Sequence, residues 1–445
     1  MTTPGLATAA PPAIAEGGAA AGRGVYKWYV LGILVLIYIM GSVDRAVVSV
    51  IAEPLKAEFG LSDKQLGILG GMAYSVTYAI AVLPMGWLVD RVDRKRLLSI
   101  TVLIWSVLTA VCAAATNYTT LIVARMGVGA AEAPASPASL SLIADTFPMR
   151  QRNTAVSLYY AGTAAGQIVI FVIGGWLLLH FDWRTVFLVA GGPGLLLACL
   201  LWFTTREPER GLFDPDRKLR KQAVRDNRGP LMIDTIRGIL GNPALCFAIP
   251  AITVSAGVNY SLTVWTTSFL VRVHGLSVSE GAIWTGVGFG ACMTVGSLLV
   301  GPLADRFSKG DQARLALIPM VTTLVAIAGG VVLALGQTLT VSLAGLAVAA
   351  FMGGFFTGTG YSIILSLAAA DERGTTLGAT KLLSIFAGSG LMPLITGAIS
   401  DAVGGPQSIR PAILITMLLL IVSTLCYVMV RRILLRQQAA RSERG

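Results

Sequence analysis

Four charged residues stand inside oily stretches of this chain. Asp44 and Arg45 close the run KWYVLGILVLIYIMGSVDR, and TTLIVARMGVGAAEAPASPAS carries Arg125 and Glu132. A charge in such surroundings is costly unless it has a partner or a task. Arg125, Gly129, Glu132 and Ser136 follow at +4, +3 and +4, which puts them on one face of a helix, and Pro134 and Pro137 kink the chain just beyond the acid. Two acids and two bases can neutralise one another. A static cluster that fixes helix packing is one use of them, but buried pairs stabilise weakly because desolvation cancels much of the attraction. Proton exchange is the other. A carboxyl group in an apolar cavity holds its proton tightly and a nearby arginine loosens it. Movement between the helices would switch Asp44, as the main proton site, and Glu132 between accepting and donating. Arg45 and Arg125, once released, suit a carboxylate or phosphate through their forked guanidinium groups. The later part of the chain offers Asn259, Tyr260, Thr357 and Tyr361 as polar partners. It also offers one cation, Lys381, which either reaches for the surface or faces the same space.

The elements that must position these groups are membrane helices. The 445 residues are 55% hydrophobic and 13% charged, with a mean hydropathy of +0.74; a soluble chain carries about 25% charged residues. Apolar runs of the length that crosses a bilayer, about 20 residues, recur twelve times: 27–51, 65–89, 97–116, 119–144, 153–179, 184–205, 244–271, 280–303, 312–335, 339–369, 375–400 and 410–434. Open sheet edges cannot face lipid, so every span is expected to be helical. With the N-terminus inside, 26 of the Lys and Arg residues fall on the cytoplasmic side and five on the other, Lys56, Lys64, Arg184, Arg272 and Arg410. That bias sets the orientation and accounts for the net charge of +11 without nucleic acid. The five cysteines are scattered through apolar segments without a C-x-x-C pair and read as buried thiols. No cofactor or metal is expected, the proton being the coupling ion.

The organisation expected is a disordered cytoplasmic tail (1–24), a six-helix bundle (25–205), a linker with a short interfacial helix (206–243), a second six-helix bundle (244–435) and a cytoplasmic tail (436–445). The first tail lacks the basic start and apolar core of a secretory leader, so the first span reads as an uncleaved anchor. In the linker, Leu231, Ile236, Ile239 and Leu240 have the spacing of a helix lying on the membrane surface.

The halves repeat one another. GWLVDRVDRKR (Gly86 to Arg96) follows span 2 and GPLADRFSKG (Gly301 to Gly310) follows span 8. Gly86 would allow close helix approach, Asp90 lies at a helix end where it can meet a cation or a helix N-terminus, and Arg91, Arg94 and Lys95 would hold the loop at the cytoplasmic surface. The G-x-L-x-D-R-x-x-R-K pattern, with its degenerate copy at Asp305 and Arg306, resembles the major facilitator superfamily over nearly the whole chain. That resemblance implies two pseudo-symmetric six-helix bundles around a central cavity, alternating access, and a role for this motif as a latch on the cytoplasmic side.

Within that superfamily, Asp44 to Gly211 is most similar to the spinster family. The matching stretches are DR late in span 1, EFGLSDKQLGILGGMAYSVTYAI, LVDRVDRKRLL, ARMGVGAAEAPASPAS and REPERG. This implies that Asp44, Arg45, Arg125 and Glu132 are the family's membrane charges and that the substrate is lysophospholipid- or sphingolipid-like. GAAEA departs from the spinster G-x-G-E-A at Ala131. The GAAEAP run and DWRTVF also resemble the anion:cation symporters, which take up sugar acids with protons. A second half rich in Gly, Ala, Leu, Phe and Met and poor in Asn and Gln tilts the expectation toward an amphiphilic anion. An enzyme would need a nucleophile with its base or a metal cluster, and a receptor would need a large soluble module; the sequence offers neither. The expected protein is a multi-pass monomer of the inner membrane.

Overall fold

The computed structural model describes residues 17–210, 232–309, 311–368, 373–405 and 407–442. The expectations for 1–16, for most of the linker (211–231, with Leu231) and for the last three residues lie outside the described residues. Residues 17–24 are helical, so the first helix starts inside the stretch expected to be a disordered tail.

The described chain is helical. The crossing helices are α1 (Gly17–Phe59), α2 (Asp63–Val89), α3 (Arg94–Cys112), α4 in two pieces (Tyr118–Glu132 and Ala135–Thr146), α5 (Met149–His180) and α6 (Trp183–Thr204). The second half has α7 (Pro243–His274), α8 (Val278–Ser308), α9 (Gln312–Leu335), α10 (Leu339–Leu367), α11 (Gly374–Val403) and α12 (Ile409–Ala440). Eleven are long and apolar enough to span a bilayer unbroken. The twelfth, α4, is interrupted after Glu132 because Pro134 cannot continue the hydrogen-bond ladder. Most starts are set by short polar side chains that accept from the free amides of the first turn, among them Ser62, Asp93, Asn117, Asp182, Ser277 and Thr338. A short helix, Met232–Gly241, precedes α7. Its Ile236 and Leu240 face outward and its Ile239 packs inward.

Three π-type turns interrupt glycine-rich stretches, at Ile68–Met72 in α2, Gly286–Ala291 in α8 and Ser384–Gly390 in α11. Those in α2 and α8 occupy matching places in the two halves, so the repeat seen in the loops extends into the helices. Large apolar side chains such as Ile80, Leu196 and Phe203 are exposed around the bundle. Such a surface fits acyl chains rather than water. Only Cys112 of the five cysteines is buried and Cys199 is exposed, which corrects the expectation of five buried thiols; Cys199 sits on the outward side of α6, where lipid rather than protein covers it.

The core shows how the halves meet. The buried residues of one apolar cluster near the face that carries both termini come from α1–α6, with Ile385 of α11 packed against it, and those of another near that same face come from the second half. The largest cluster, nearer the opposite face, draws on both halves, from Val47, Phe171 and Trp183 to Trp265, Phe289 and Met417. The halves are therefore fused toward the far face and parted toward the terminal face.

An ionic cluster closes the far face. Asp63 at the start of α2 accepts from Arg272 of α7 at 2.7 Å, from Ser400 of α11 at 2.6 Å and from Lys56. Arg272 also holds Glu53 at 2.7 Å. Asp401 of α11 accepts from the main-chain amides of Asp63 and Lys64, each at 2.8 Å. The first free amides of a helix carry partial positive charge, so α2 of one half is docked by its N-terminus onto a carboxylate of the other.

Candidate functional site

The four membrane charges meet as two crossed pairs between α1 and α4. Arg125 Nη1 lies 2.6 Å from Asp44 Oδ1, and Thr109 Oγ1 donates to Asp44 Oδ2 at 2.7 Å. Arg45 pairs with Glu132. Successive residues of a helix point about 100° apart, so adjacent Asp44 and Arg45 cannot share a partner, and the seven-residue step from Arg125 to Glu132 supplies partners two turns apart. On the same face of α4, Gly129 lets α2 pack closely: a Cβ there would lie 2.4 Å from the Tyr74 carbonyl oxygen of α2. Gly41 permits the approach of α1 to the acid of α4, since its Cβ would lie 2.7 Å from Glu132 Oε1.

The pairs differ in access. The Arg125 and Asp44 side chains are 0% and 2% exposed, whereas Arg45 is 23% exposed beside a 5% exposed Glu132. Arg45 lines a central cavity of about 210 Å³ and Arg125 does not. Asp44, expected to be the main proton site, is thus sealed behind Arg125 in this conformation, and Glu132 is the acid beside the cavity. Arg125 Nε and Nη2 and Glu132 Oε2 make no hydrogen bond among the described residues, so donors and an acceptor stand free for a change of partner.

The cavity wall brings in residues from both halves. Tyr260 of α7 lines it and donates to the carbonyl oxygens of Arg45 (3.2 Å) and Gly70 (3.0 Å). Lys381 of α11 lines it too, with Ser42, Ser75, Ser136, Thr163, Gln167 and Ser389. Tyr38, Tyr74 and Tyr78 supply ring faces, the last two stacked at 5.6 Å. Asn259 turns instead toward Gly353 of α10 and Met293 of α8. Tyr361 packs against the second half's own cluster near the terminal face, and neither of these two lines the central cavity. Lys381 and the tyrosines are what the reading of the sequence left open or missed. The signal was there in YSVTY (74–78), two tyrosines one helical turn apart within an apolar run.

A larger cavity of about 1020 Å³ adjoins the central one at Thr163 and Gln167. It lies between α5, α8 and α10 toward the terminal face, with Tyr160, Met293, Leu298 and Val300 on its walls. Asp305 lines it, and Arg306 is exposed.

The repeated loop is arranged differently from its expected roles. A Cβ on Gly86 or Gly301 would meet nothing within 4 Å. Gly86 therefore makes no close helix contact here, because the halves are parted at that face. Asp90 makes no ion pair among the described residues, and its carbonyl oxygen accepts from Arg210. Arg91 lies over the Trp87 ring at 3.9 Å. Arg94 is not a surface anchor. It is 1% exposed and binds Glu207 at 2.6 Å, Ser141 Oγ at 2.8 Å and Asp145, which ties α3 to α4 and to the segment after α6. Lys95 caps the end of α6 through the carbonyl oxygens of Trp202 and Thr205.

Comparison with known proteins agrees with this architecture. Residues 34–384 match the model of the Major Facilitator Superfamily. A solved bacterial homologue of the human lysosomal transporter Spinster, inward-facing and unoccupied, superposes with a TM-score of 0.83 at 28% identity, covering 92% of this chain and 98% of that one. An MFS-type efflux pump of Mycolicibacterium smegmatis is 25% identical over 90% of this chain and 91% of its own. A D-galactonate transporter of Escherichia coli is 26% identical over 92% and 96%, and a gallate transporter of Pseudomonas putida 30% identical over 63% and 66%. The family match over most of the chain, carried by a helical bundle with a charged cavity between its halves, makes this protein a member of the Major Facilitator Superfamily, a transporter and not an enzyme.

Proposed function

We propose that the protein is a proton-coupled secondary transporter of an amphiphilic anion, a monomer of the inner membrane with its terminal face in the cytoplasm, described here in a cytoplasm-open state. The excess of basic residues on the terminal face supports the orientation, and the parted cores on that face support the state. The observation that carries the reading is the Arg45–Glu132 pair at the cavity wall. A proton on Glu132 cancels its attraction for Arg45 and frees the guanidinium for an incoming anion. Departure of the anion lets the pair re-form and expels the proton. Asp44 and Arg125 repeat this logic when movement of α1 against α4 opens them. The charged head then occupies the tyrosine-lined cavity and the apolar body the adjoining chamber.

A second reading, proton-driven uptake of a sugar acid, draws support from the hydroxyl groups of Ser42, Ser75, Ser136 and Ser389 on the cavity wall. It also draws support from the relatives named for D-galactonate and hexuronate.

Proteoliposomes holding the full chain, offered fluorescent lysophosphatidate or labelled D-galactonate with and without a pH gradient, test both. Gradient-stimulated uptake of the lysolipid is expected, with the stimulation lost in Glu132→Gln and in Asp44→Asn. Uptake of galactonate alone selects the second reading. Wild-type uptake indifferent to the gradient refutes the coupling.

A further inference from the structure

We infer that Lys381 is the anion-docking cation of the second half, and that the substrate's oxyanion head is held jointly by Lys381 and Arg45 across the gap between the halves. The inference rests on the reading of the protein as an anion carrier and deepens it.

Arg45 and Arg125 each have a carboxylate partner, whereas Lys381 has none among the described residues. It nevertheless lines the central cavity. Its titratable neighbours include four tyrosines, Tyr38, Tyr160, Tyr78 and Tyr361. A lysine reaching for the surface would leave these rings for headgroups or water; this one stays among them. Its Nζ lies 5.5 Å from the Tyr160 ring, Tyr160 meets Tyr38 edge to face at 5.7 Å, and Arg45 lies 5.8 Å from the Tyr38 ring. Two cations from opposite halves thus share a pair of neighbouring aromatic rings. Ring faces attract cations without neutralising them, so the site keeps a net positive charge that an anion can satisfy.

The placement has a mechanical meaning. While the site is empty Arg45 is paired with Glu132, and Lys381 brings the unbalanced charge to the gap. An oxyanion held by Lys381 and by Arg45, once a proton on Glu132 has released the guanidinium, makes two attractions that span the gap. A ligand shifts a conformational equilibrium only by binding one state better, and a bridge across the halves is such a difference. Tyr160 lines the larger chamber as well, so a head docked on Lys381 leaves its body against the walls of α5, α8 and α10. A lipid phosphate and a free organic acid share the head chemistry.

Uptake by the full chain in proteoliposomes and thermal unfolding in detergent, with lysophosphatidate and D-galactonate as separate probes, test the inference and separate the two sources. For whichever probe the wild type carries, Lys381→Gln should raise KM about tenfold or more and abolish the probe-induced rise in Tm, and Lys381→Arg should keep KM within about threefold. The unliganded Tm should not fall in Lys381→Gln, because removing an unpaired cation breaks no ion pair. A wild-type KM in Lys381→Gln, or an unliganded Tm that falls in it while KM is kept, overturns the docking role and leaves the anion-carrier reading standing. A wild type that moves neither probe overturns both.

Discussion

Arg125→Ala is expected to lower stability by about 3–5 kcal/mol, the cost of removing one partner of a buried pair and leaving the other charge alone. Asp44 would keep only the Thr109 hydroxyl, in a site where both side chains are almost fully sealed. Thermal unfolding of the detergent-solubilised protein measures this loss. The companion variant decides what the pair is for. Asp44→Leu with Arg125→Met fills the site with apolar side chains, and such replacements of buried pairs are often neutral or stabilising. The double variant should recover most of the lost stability and show no gradient-driven uptake. Recovery of stability together with intact gradient-driven uptake would reduce the pair to a structural fixture.

Asp63→Ala should open the far face. It strips Lys56, Arg272 and Ser400 of a common acceptor that is 2% exposed, and it leaves Arg272 with Glu53 alone. Because Arg272 keeps Glu53 and Lys56 is 34% exposed, the far-closed state loses less than a severed buried pair, about 1–3 kcal/mol, a shift of about 5- to 150-fold in the ratio of the two states. Spin labels at Lys64→Cys and Gln407→Cys, both exposed on that face, report it. The distance distribution should gain a long component in Asp63→Ala, and an unchanged distribution would show that the apolar cluster alone holds the face shut.

Much of the architecture could be read from the residues because membrane helices obey simple constraints. Apolar length gives the spans, basic loops give a direction, and Pro134 marks the break in α4. The meeting of Asp44, Arg45, Arg125 and Glu132 was also legible, since helical spacing puts the last two on one face. The pairing was not. It depends on the relative height of α1 and α4, which no spacing within either helix contains. Arg94 could not be recognised as a buried hub, because its partners Asp145, near the end of α4, and Glu207, after α6, are distant in the sequence. Gly86 was expected to pack closely, and here its neighbours are drawn away where the halves part. The far-face cluster was invisible because charges at helix ends are ordinary, and only the folded chain brings residue 63 to residue 401.

The grip of Asp401 on α2 engages peptide amides rather than side chains. No ordinary replacement at position 64 can remove its own donor; proline, which lacks the amide, can. Mutational tolerance across this contact should therefore be lopsided. Position 64 is permissive to nearly every residue type and position 401 is confined to a carboxylate, so a survey of functional variants would find Asp401 constrained and Lys64 free to vary.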